Sequence, residues 1–354
     1  MLIKHTVCER GGRQMKIIVD AMSGDFAPKA QVEGAVMAHR EYGVEIVLVG
    51  REAEILACVG GTLPAGITIV EASEIVTMED DPATVIRAKK DSSMVQGLKL
   101  LKDGGGDAFV SSGNTGAVLS GATLIPKRIK GIRRAALSPV IPNKEGGALL
   151  IDCGANAECT PEYLLQFAFM GSFYVKRILG KENPRVGILN NGTEETKGLD
   201  LQRETYALLK ALSAEGKINF IGNVEGRDVL LGGVDVVVCD GFTGNILLKG
   251  IEGTALFLMG ELKGIFKRNA ISMLSAMLVK RGLRGLKAKL DVSEIGGTAL
   301  LGITKPVIKA HGNSDAKSFR SAIRQARDLV ESGIIEDITA NIDAVKLKQV
   351  LEVE

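Results

Sequence analysis

The chain has 354 residues, of which 45% are apolar and 24% are charged. This length and composition predict a soluble globular protein with a full core, built as one large or two interleaved α/β domains. No apolar run approaches the roughly 20 residues that a membrane-spanning helix needs, and the first 14 residues lack the apolar core of a signal peptide. An integral membrane protein is therefore excluded, and a cytoplasmic one is expected.

The stretch Met15-Lys-Ile-Ile-Val-Asp20 reads as a natural first strand. We therefore interpret residues 1–14 as a disordered extension or the product of an early start codon, and residues 15–354 as a single large α/β catalytic unit. The five cysteines include no C-x-x-C pair, which indicates free thiols in a reducing cytoplasm.

Strand-like and helix-like segments alternate along the chain, which predicts an α/β fold with a mostly parallel, doubly wound sheet. Strands are predicted near 16–20, 44–49, 67–71, 107–111, 135–141, 148–152, 185–189, 218–221, 235–239 and 303–309. Helices are predicted from Pro28, at 51–59, from Asp81 and Pro82, to about 126, at 160–179, 199–213, through 250–259, from a Ser314 cap to 331, and at 337–350. Ligands of such sheets bind beyond the carboxyl ends of the strands, where this chain places polar loops.

Two of these loops repeat one pattern. Asp107–Leu119 and Asp235–Leu247 align without gaps, 128 residues apart, and share the Asp, a Val, two Gly, a Thr and the Leu. A glycine-hinged turn between a buried strand and a helix directs free N–H groups at a ligand, and the usual ligand is an anion such as phosphate. Either loop alone could be an ordinary turn, but the repeat favours one cleft between two similar half-structures. The candidate binding residues are Ser112, Gly113, Asn114, Thr115, Gly116, Gly241, Thr243 and Gly244.

Other strand-end loops add amide, hydroxyl and charged groups, namely Asn156, Asn191, Lys197, Asp240, Asn245 and His311. Arg87, Lys90 and Ser92 gather near the end of a predicted helix, where a solvated charged face is the competing interpretation. The chain lacks the motifs of zinc proteases, serine hydrolases, P-loop ATPases and dinucleotide-binding proteins. What remains suits an oxyanion site.

Inorganic phosphate needs no protein nucleophile in such a site. Its second pKa is about 6, so much of it is already the dianion near neutral pH. Held against an acyl thioester, phosphate could attack directly, and the protein would supply alignment and charge stabilisation.

Seven motifs together resemble the bacterial phosphate acyltransferase family, PlsX. They are Asp20-Ala-Met-Ser-Gly-Asp25, Ser112-Gly-Asn-Thr-Gly-Ala117, Asp152-x-Gly-Ala-Asn156, Asn191-Gly-Thr-Glu-x-x-Lys-Gly198, Gly222-Asn-Val-Glu-Gly-Arg-Asp228, Asp240-Gly-Phe-Thr-Gly-Asn245 and His311-Gly-x-Ser-Asp315. Ser23 and Asn313 stand where the family pattern has a glycine and a serine.

The resemblance implies conversion of a long-chain acyl-carrier-protein thioester and phosphate to acyl phosphate, which a downstream glycerol-3-phosphate acyltransferase uses for phospholipid synthesis. It also implies a homodimer with the fold of isocitrate and isopropylmalate dehydrogenases, with no metal or nucleotide cofactor and no nucleic-acid partner.

We assign roles to the candidate residues as hypotheses. Lys197, with Arg87 and Lys90, should neutralise phosphate, and Asn114, Thr115, Thr243 and Asn245 should donate to phosphate or to the thioester oxyanion. His311 could protonate the leaving thiolate or simply fasten its own loop. Asp240 should orient donors.

The segment from Leu262 to Leu290 carries eight Lys or Arg and no acid, interleaved with apolar residues in two helical pieces that break near 269–272 and at Gly282. A helical hairpin here could lie on anionic lipid, dock the acidic carrier protein, or pack in a dimer. We favour peripheral attachment to the inner face of the cell membrane, with carrier docking close behind. The contact residues would be Lys267, Arg268, Leu274, Met277, Leu278, Lys280, Arg281 and Arg284.

Three other functions stay open on these residues. A short-chain phosphotransacetylase that uses coenzyme A would share the fold, and so would a metal-dependent dehydrogenase, although no aspartate cluster for the metal is visible. A noncatalytic scaffold placed at the membrane is the third.

Overall fold

The computed structural model describes residues 14–290 and 296–345, and for residues 284 and 286–290 it describes the backbone alone. The chain divides into two compact units that interleave along the sequence: unit 1 comprises the described residues of Met1–Arg128 and Ile303–Glu336, and unit 2 those of Ile129–Gly302 and Asp337–Glu354. That both belong to one catalytic unit stays a prediction. The predicted extension lies outside the described residues except for Gln14.

Unit 1 contains a parallel sheet in the order β3-β2-β1-β4-β12. Its strands are β1 (Lys16–Asp20), β2 (Glu45–Gly50), β3 (Ile67–Glu71), β4 (Ala108–Ser111) and β12 (Val307–Lys309). Its helices are α1 (Lys29–Tyr42), α2 (Glu52–Ala57), α3 (Val85–Ala88), α4 (Ser93–Lys102), α5 (Thr115–Ala122), continued by a π-turn at Thr123–Lys127, and α11 (Ala316–Glu331). In the central strands, residues 17–19 of β1 and 108–110 of β4 are buried and apolar, as expected for strands covered on both faces.

Unit 2 contains a sheet in the order β6-β7-β10-β8-β9, parallel except for β6, and an antiparallel pair of β5 with β11. Its strands are β5 (Ala136–Ser138), β6 (Val140–Ile141), β7 (Ala148–Ile151), β8 (Arg185–Leu189), β9 (Asn219–Val224), β10 (Val236–Val238) and β11 (Thr298–Leu301). Its helices are α6 (Pro161–Ile178), α7 (Asp200–Ala214), α8 (Gly226–Leu231), α9 (Gly241–Lys267) and α10 (Ala270–Leu290); α12 (Ile334–Asn341) begins in unit 1 and leads to a 3-10 turn at Ile342–Val345. The predicted fold class, mostly parallel strands alternating with helices, is confirmed.

Several predicted boundaries were wrong. The helix expected from Asp81 and Pro82 forms only over Val85–Ala88, and the Ser92 side chain instead caps α4. Asp315 caps α11 rather than Ser314, because the Asp315 carboxylate accepts the Ser318 N–H at 2.8 Å. The strand expected over 303–309 forms only from Val307. Strand β11 and helix α8 were not predicted.

The basic segment forms the end of α9 and all of α10. The break between the two helices falls at residues 268–269, near the predicted place, but Gly282 lies inside α10 and does not interrupt it. No helix within the described ranges is long and apolar enough to cross a membrane. The closing helix expected to residue 350 ends its described part at Val345, and residues 346–350 lie outside the described residues.

Asp107 and Asp235, the first residues of the two repeated stretches, make equivalent hydrogen bonds. Asp107 accepts the backbone N–H of Lys16, the first residue of β1, at 2.8 Å, and Asp235 accepts that of Arg185, the first residue of β8, at 2.8 Å. Each carboxylate therefore fixes the start of a neighbouring parallel strand. Asp235 also binds the side chains of Arg185 and Lys181, at 2.8 and 2.6 Å.

Asp235→Asn should destabilise the protein by about 2 kcal/mol near neutral pH, since the change removes charge-assisted hydrogen bonds. Burial alone would raise the pKa of Asp235, but the hydrogen bonds from Arg185 and Lys181 outweigh it and hold that pKa well below its ordinary value. The carboxylate's contribution is therefore complete above the ordinary pKa of 3.8 and is lost as the pH falls through the lowered one. Urea unfolding of both proteins as a function of pH measures the difference.

The matched control is Asp200→Asn, because Asp200 pairs with Arg203 at an exposed position, where an ion pair contributes little. An equal loss of stability in the two variants at neutral pH would contradict this account of Asp235.

Candidate functional site

In unit 2, the parallel strands β7, β10 and β8 end side by side, and a buried carboxylate organises the loop after β7. Asp152 Oδ1 accepts the N–H groups of Leu137, Cys153 and Ala155 at 2.8, 2.7 and 3.3 Å. Its Oδ2 accepts the N–H and the side-chain amide of Asn156 at 2.6 and 3.0 Å. Burial raises the pKa of Asp152, although these hydrogen bonds oppose the rise. The loop 152–156 is therefore closed around one carboxyl group.

The loop after β10 lies directly against this one, and glycine makes the approach possible. A Cβ on Gly244 would lie 2.0 Å from the carbonyl oxygen of Asp152, and one on Gly241 would lie 2.7 Å from that of Asn156. The Gly241 N–H donates to the Asn156 oxygen at 2.7 Å. Both glycines are thus required by backbone packing.

Helix α9 begins within this second loop, with Asp240 as its N-cap. Asp240 Oδ1 accepts the Thr243 N–H at 2.8 Å, and Oδ2 accepts the Thr243 hydroxyl at 2.8 Å. This is the standard way in which a carboxylate satisfies the open N–H groups of a first turn. Asp240 thus holds the N–H and the hydroxyl of Thr243, whose hydroxyl proton is used within the loop. The role of Asp240 toward a substrate stays a prediction.

Asn156 is likewise part of the framework. Its side-chain amide donates to the Ala135 oxygen at 2.8 Å as well as to Asp152, so both amide hydrogens are used. Asn156 and Thr243 were predicted as ligand donors; in this structure their hydrogen bonds shape the loops, and their roles toward a ligand stay predictions.

The same two loops leave three donors open. The Asn245 side chain is exposed, and its amide lies 3.8 Å from where a Cβ of Gly154 would stand. The backbone N–H groups of Gly154 and Phe242 have no acceptor within the described part of the chain. Gly154 has a φ of 105° and Phe242 is the second residue of α9, so both N–H groups come from turns rather than from regular pairing. An amide and two N–H groups thus form an open donor set.

The loop after β8 presents Asn191 and Lys197 on an exposed surface. Asn190 closes the loop: its Nδ2 donates to the Lys197 oxygen at 3.1 Å, and its Oδ1 accepts the Asn191 N–H at 2.9 Å. Gly198 has a φ of 86°, and a Cβ there would lie 2.6 Å from Asn190 Oδ1. The local backbone thus fixes where the Lys197 chain starts, while its ammonium group has no carboxylate partner in the described ranges.

Three thiols lie at or beside these loops, and none is activated. Burial, with the nearby Asp152 charge, raises the pKa of both Cys153 and Cys159 to about 12. Burial also raises the pKa of Cys239, whose Sγ lies 3.3 Å from the Asp152 oxygen to which it donates. Thiols that stay protonated at neutral pH are poor nucleophiles.

In unit 1, the loop after β1 is built on a buried hydroxyl cluster. The Asp20 carboxylate accepts the hydroxyls of Ser93 and Ser111 at 2.6 and 2.7 Å, and burial raises the pKa of Asp20 against these bonds. Ser23 Oγ lies 3.2 Å from Ser111 Oγ and accepts the Ser112 N–H at 3.2 Å. The left-handed residue of this loop is Gly24, with a φ of 97°, so Ser23 needs no glycine backbone and contributes its hydroxyl.

The first repeated loop is covered by the protein's own chain. Asn114 Oδ1 caps α5 by accepting the Ala117 N–H at 3.1 Å, while its Nδ2 donates to the carbonyl oxygens of Met78 and Asp80 at 3.1 and 3.3 Å. A Cβ on Gly116 would lie 2.6 Å from the Pro82 ring. The acidic segment Met78–Pro82 therefore lies over this helix start.

The other candidates in unit 1 have mixed surroundings. Ser112 is buried and donates to the Ser23 oxygen at 2.6 Å, and Ser92 donates to the Lys89 oxygen at 2.8 Å. Arg87, Lys90 and Thr115 are exposed, and His311 is half-buried. Their neighbour Lys89 forms an ion pair with Asp80 at 2.6 Å. The catalytic roles of these residues, and the single cleft shared by both repeated loops, stay predictions.

The sequence did not single out the open backbone donors of these loops. The N–H groups of Gly154 and Phe242 have no side-chain signature, and only a strand-end glycine hinted at the first. Asp152 had a signal, because it follows a buried strand directly, as Asp240 does.

Comparison with known proteins agrees with the motifs. Residues 15–337 match the model of a family described as "Fatty acid synthesis protein". The chain is 45% identical over 331 residues to a phosphate acyltransferase of Thermoanaerobacterium thermosaccharolyticum, which covers 94% of this chain and 98% of that protein. It is 47% identical over 328 residues to a phosphate acyltransferase of Clostridioides difficile, which covers 92% of this chain and 95% of that protein.

Solved structures share the fold at low identity. A phosphotransacetylase from Streptococcus pyogenes has a TM-score of 0.55 at 18% identity, covering 96% of this chain and 95% of its own. A putative 4-hydroxythreonine-4-phosphate dehydrogenase from Salmonella typhimurium has a TM-score of 0.51 at 14% identity, covering 90% and 99%. The predicted dehydrogenase-like fold is thus confirmed.

The family model spans nearly all of the described residues, and the relatives align over almost their whole length. The chain therefore belongs to the phosphate acyltransferase (PlsX) family of fatty acid synthesis proteins, and it is an enzyme.

Proposed function

We propose that this enzyme transfers a long-chain acyl group from acyl carrier protein to inorganic phosphate, and that phosphate attacks the thioester directly. One observation carries the proposal. At the carboxyl edge of the unit 2 sheet, the described thiols are protonated and buried or half-buried, whereas amide, N–H and cationic donors stand open. Such a surface suits an anionic reactant, and its described thiols are poor nucleophiles.

The reaction balances without a covalent enzyme intermediate. A phosphate oxygen forms a bond to the carbonyl carbon, the carbonyl oxygen becomes an oxyanion, and the carbon–sulfur bond then breaks. As that bond breaks, the oxyanion re-forms the carbonyl and the electron pair leaves with the pantetheine sulfur. The thiolate takes up the proton that the attacking hydrogen phosphate loses. Asn245 and the N–H groups of Gly154 and Phe242 would donate to phosphate or to the oxyanion, and Lys197 would offset phosphate charge.

A two-step route through an acyl-enzyme is the competing mechanism, and Cys159 is the thiol to test because it is only half-buried. We expect Cys159→Ala to keep kcat within about threefold of the wild type, since the thiol of raised pKa plays no part in transfer. We also expect intact-protein mass spectrometry to find no acylated enzyme when acyl carrier protein is supplied without phosphate. A mass increase that disappears in Cys159→Ala would refute direct attack.

Lys197→Ala should raise KM for phosphate about tenfold, the effect of losing roughly 1.4 kcal/mol of charge stabilisation. The KM for acyl carrier protein should change little. Lys210→Ala is the control, because Lys210 is also exposed but is neutralised by Glu195 at 2.6 Å. Initial rates over a phosphate series decide the matter, and an unchanged phosphate KM in Lys197→Ala would remove this residue from the proposal.

We further propose that the helical hairpin of α9 and α10 attaches the enzyme, as a homodimer, to an anionic membrane surface. The support is a large unpartnered apolar surface that carries cations. Leu274, Met277 and Leu278 are 61%, 71% and 82% exposed, and an apolar groove of about 790 Å³ runs between the helices, with Lys263, Lys267 and Lys280 among its lining residues. Arg268 and Arg281 are exposed on the same hairpin, while the Arg284 side chain lies outside the described side chains.

Such a surface combines the two terms that bind a peripheral helix to lipid, apolar burial and attraction to anionic headgroups. An acidic carrier protein is the competing partner, and it would use mainly the positive charge of the hairpin. The groove itself could hold the second copy of the chain.

Vesicles of phosphatidylglycerol and phosphatidylcholine distinguish these possibilities by flotation. The wild type should float with the vesicles, and the double variant Leu274→Glu, Met277→Glu should stay behind, because two new charges oppose insertion. Leu231→Glu should float, since this residue is 51% exposed but lies at the end of α8. Equal flotation of all three proteins, or of none, would contradict the membrane proposal.

A further inference from the structure

We infer that Arg134 is a phosphate-binding residue of this enzyme, which no motif or predicted role had included. The inference rests on the proposed function of the unit 2 site and adds a residue to it. Arg134 lies just before β5, where the chain passes the loop that Asp152 closes.

The position of Arg134 is fixed by hydrogen bonds on both sides. The next residue, Ala135, accepts the side-chain amide of Asn156 at 2.8 Å. The preceding residue, Arg133, donates its N–H to Gln166 at 2.8 Å, and Gln166 in turn donates to the Gly131 oxygen at 3.0 Å. Because Gln166 belongs to α6 and Asn156 to the Asp152 loop, the backbone at Arg134 is tied to both.

The Arg134 side chain is held by an aromatic face and not by an acid. Its guanidinium carbon lies 5.5 Å from the centroid of the Tyr163 ring, in the first turn of α6. A cation over an aromatic face keeps its in-plane N–H groups available, because the contact is made through the plane. The guanidinium also lies within electrostatic range of Cys159, where it opposes the rise in thiol pKa that burial chiefly causes.

Most other cations near this edge are neutralised. Arg133 pairs with Glu162 at 3.0 Å, Arg227 with Glu225 at 2.6 Å and Lys249 with Glu252 at 2.7 Å. Arg134 and Lys197 have no carboxylate partner in the part of unit 2 that the structure describes. An unneutralised guanidinium whose backbone is tied to the Asp152 loop is the kind of group that binds a phosphate oxygen pair.

The test compares Arg134→Gln, Arg134→Lys and the neighbouring control Arg133→Gln, in the full-length enzyme. Arg134→Gln should raise KM for phosphate by about tenfold or more, the effect of losing a charge-assisted bidentate contact. Arg134→Lys should recover part of that loss, because the charge returns without the planar fork. Arg133→Gln should stay within about twofold of the wild type, and KM for acyl carrier protein should be unaffected throughout.

Calorimetric titration of the enzyme with inorganic phosphate alone separates this inference from the proposed reaction. Weaker phosphate binding by Arg134→Gln, with an unchanged melting temperature, supports the inference whether or not the wild type makes acyl phosphate. Failure of the wild type to make acyl phosphate would refute the proposed function instead. Unchanged phosphate affinity and KM in Arg134→Gln would overturn the inference. A rise in the carrier-protein KM alone would also overturn it and would make Arg134 a carrier contact.

Discussion

The unit 2 site depends on one buried carboxylate. Asp152 accepts five hydrogen bonds from its own loop and from β5, and it thereby holds a tight turn at the carboxyl end of β7. The closeness of the next loop follows from that turn, because Gly241 and Gly244 meet its backbone at distances that no side chain allows. Removing a carboxylate of this kind leaves several N–H groups without acceptors, at a cost of about 1–3 kcal/mol for each buried group.

The polar residues of these loops fall into two groups, and the turn held by Asp152 explains why. Asn156, Asp240 and Thr243 use their hydrogen-bonding groups to shape the loops. Asn245, Gly154 and Phe242 are left with open donors because the loops are already satisfied without them. Preorganised donors of this kind need no rearrangement when charge develops, and they are therefore suited to the direct attack by phosphate that we propose.

The sequence predicted the parallel fold and the loops at strand ends because burial imposes a period and polar residues interrupt it. It did not predict which side chains use their hydrogen-bond donors within the protein and which leave them open. Thr243 and Asn245 stand two residues apart. The Thr243 hydroxyl is used because it donates to Asp240, whereas the Asn245 side chain is exposed. The short β11 depends on pairing with the distant β5, whereas the cap of α11 depends on which side chain, Asp315 or Ser314, accepts the Ser318 N–H.

The two repeated loops show where a shared pattern stops determining structure. Asp107 and Asp235 anchor neighbouring strands alike, but α5 begins at Thr115 under an Asn114 cap, whereas α9 begins at Gly241 under an Asp240 cap. The helix starts are thus offset by two residues in the aligned pattern. In addition, the Met78–Pro82 segment covers the first loop, and the Asn114 side-chain amide holds that segment by donating to the carbonyl oxygens of Met78 and Asp80.

The central claim is that phosphate binds to the open donors of the unit 2 loops. A crystal structure of the enzyme with inorganic phosphate tests it most directly. The account predicts phosphate density within hydrogen-bond distance, about 3 Å, of the Asn245 amide and the Gly154 N–H. Phosphate bound only at the start of α5, with the donors of Asn245 and Gly154 facing solvent, would contradict it.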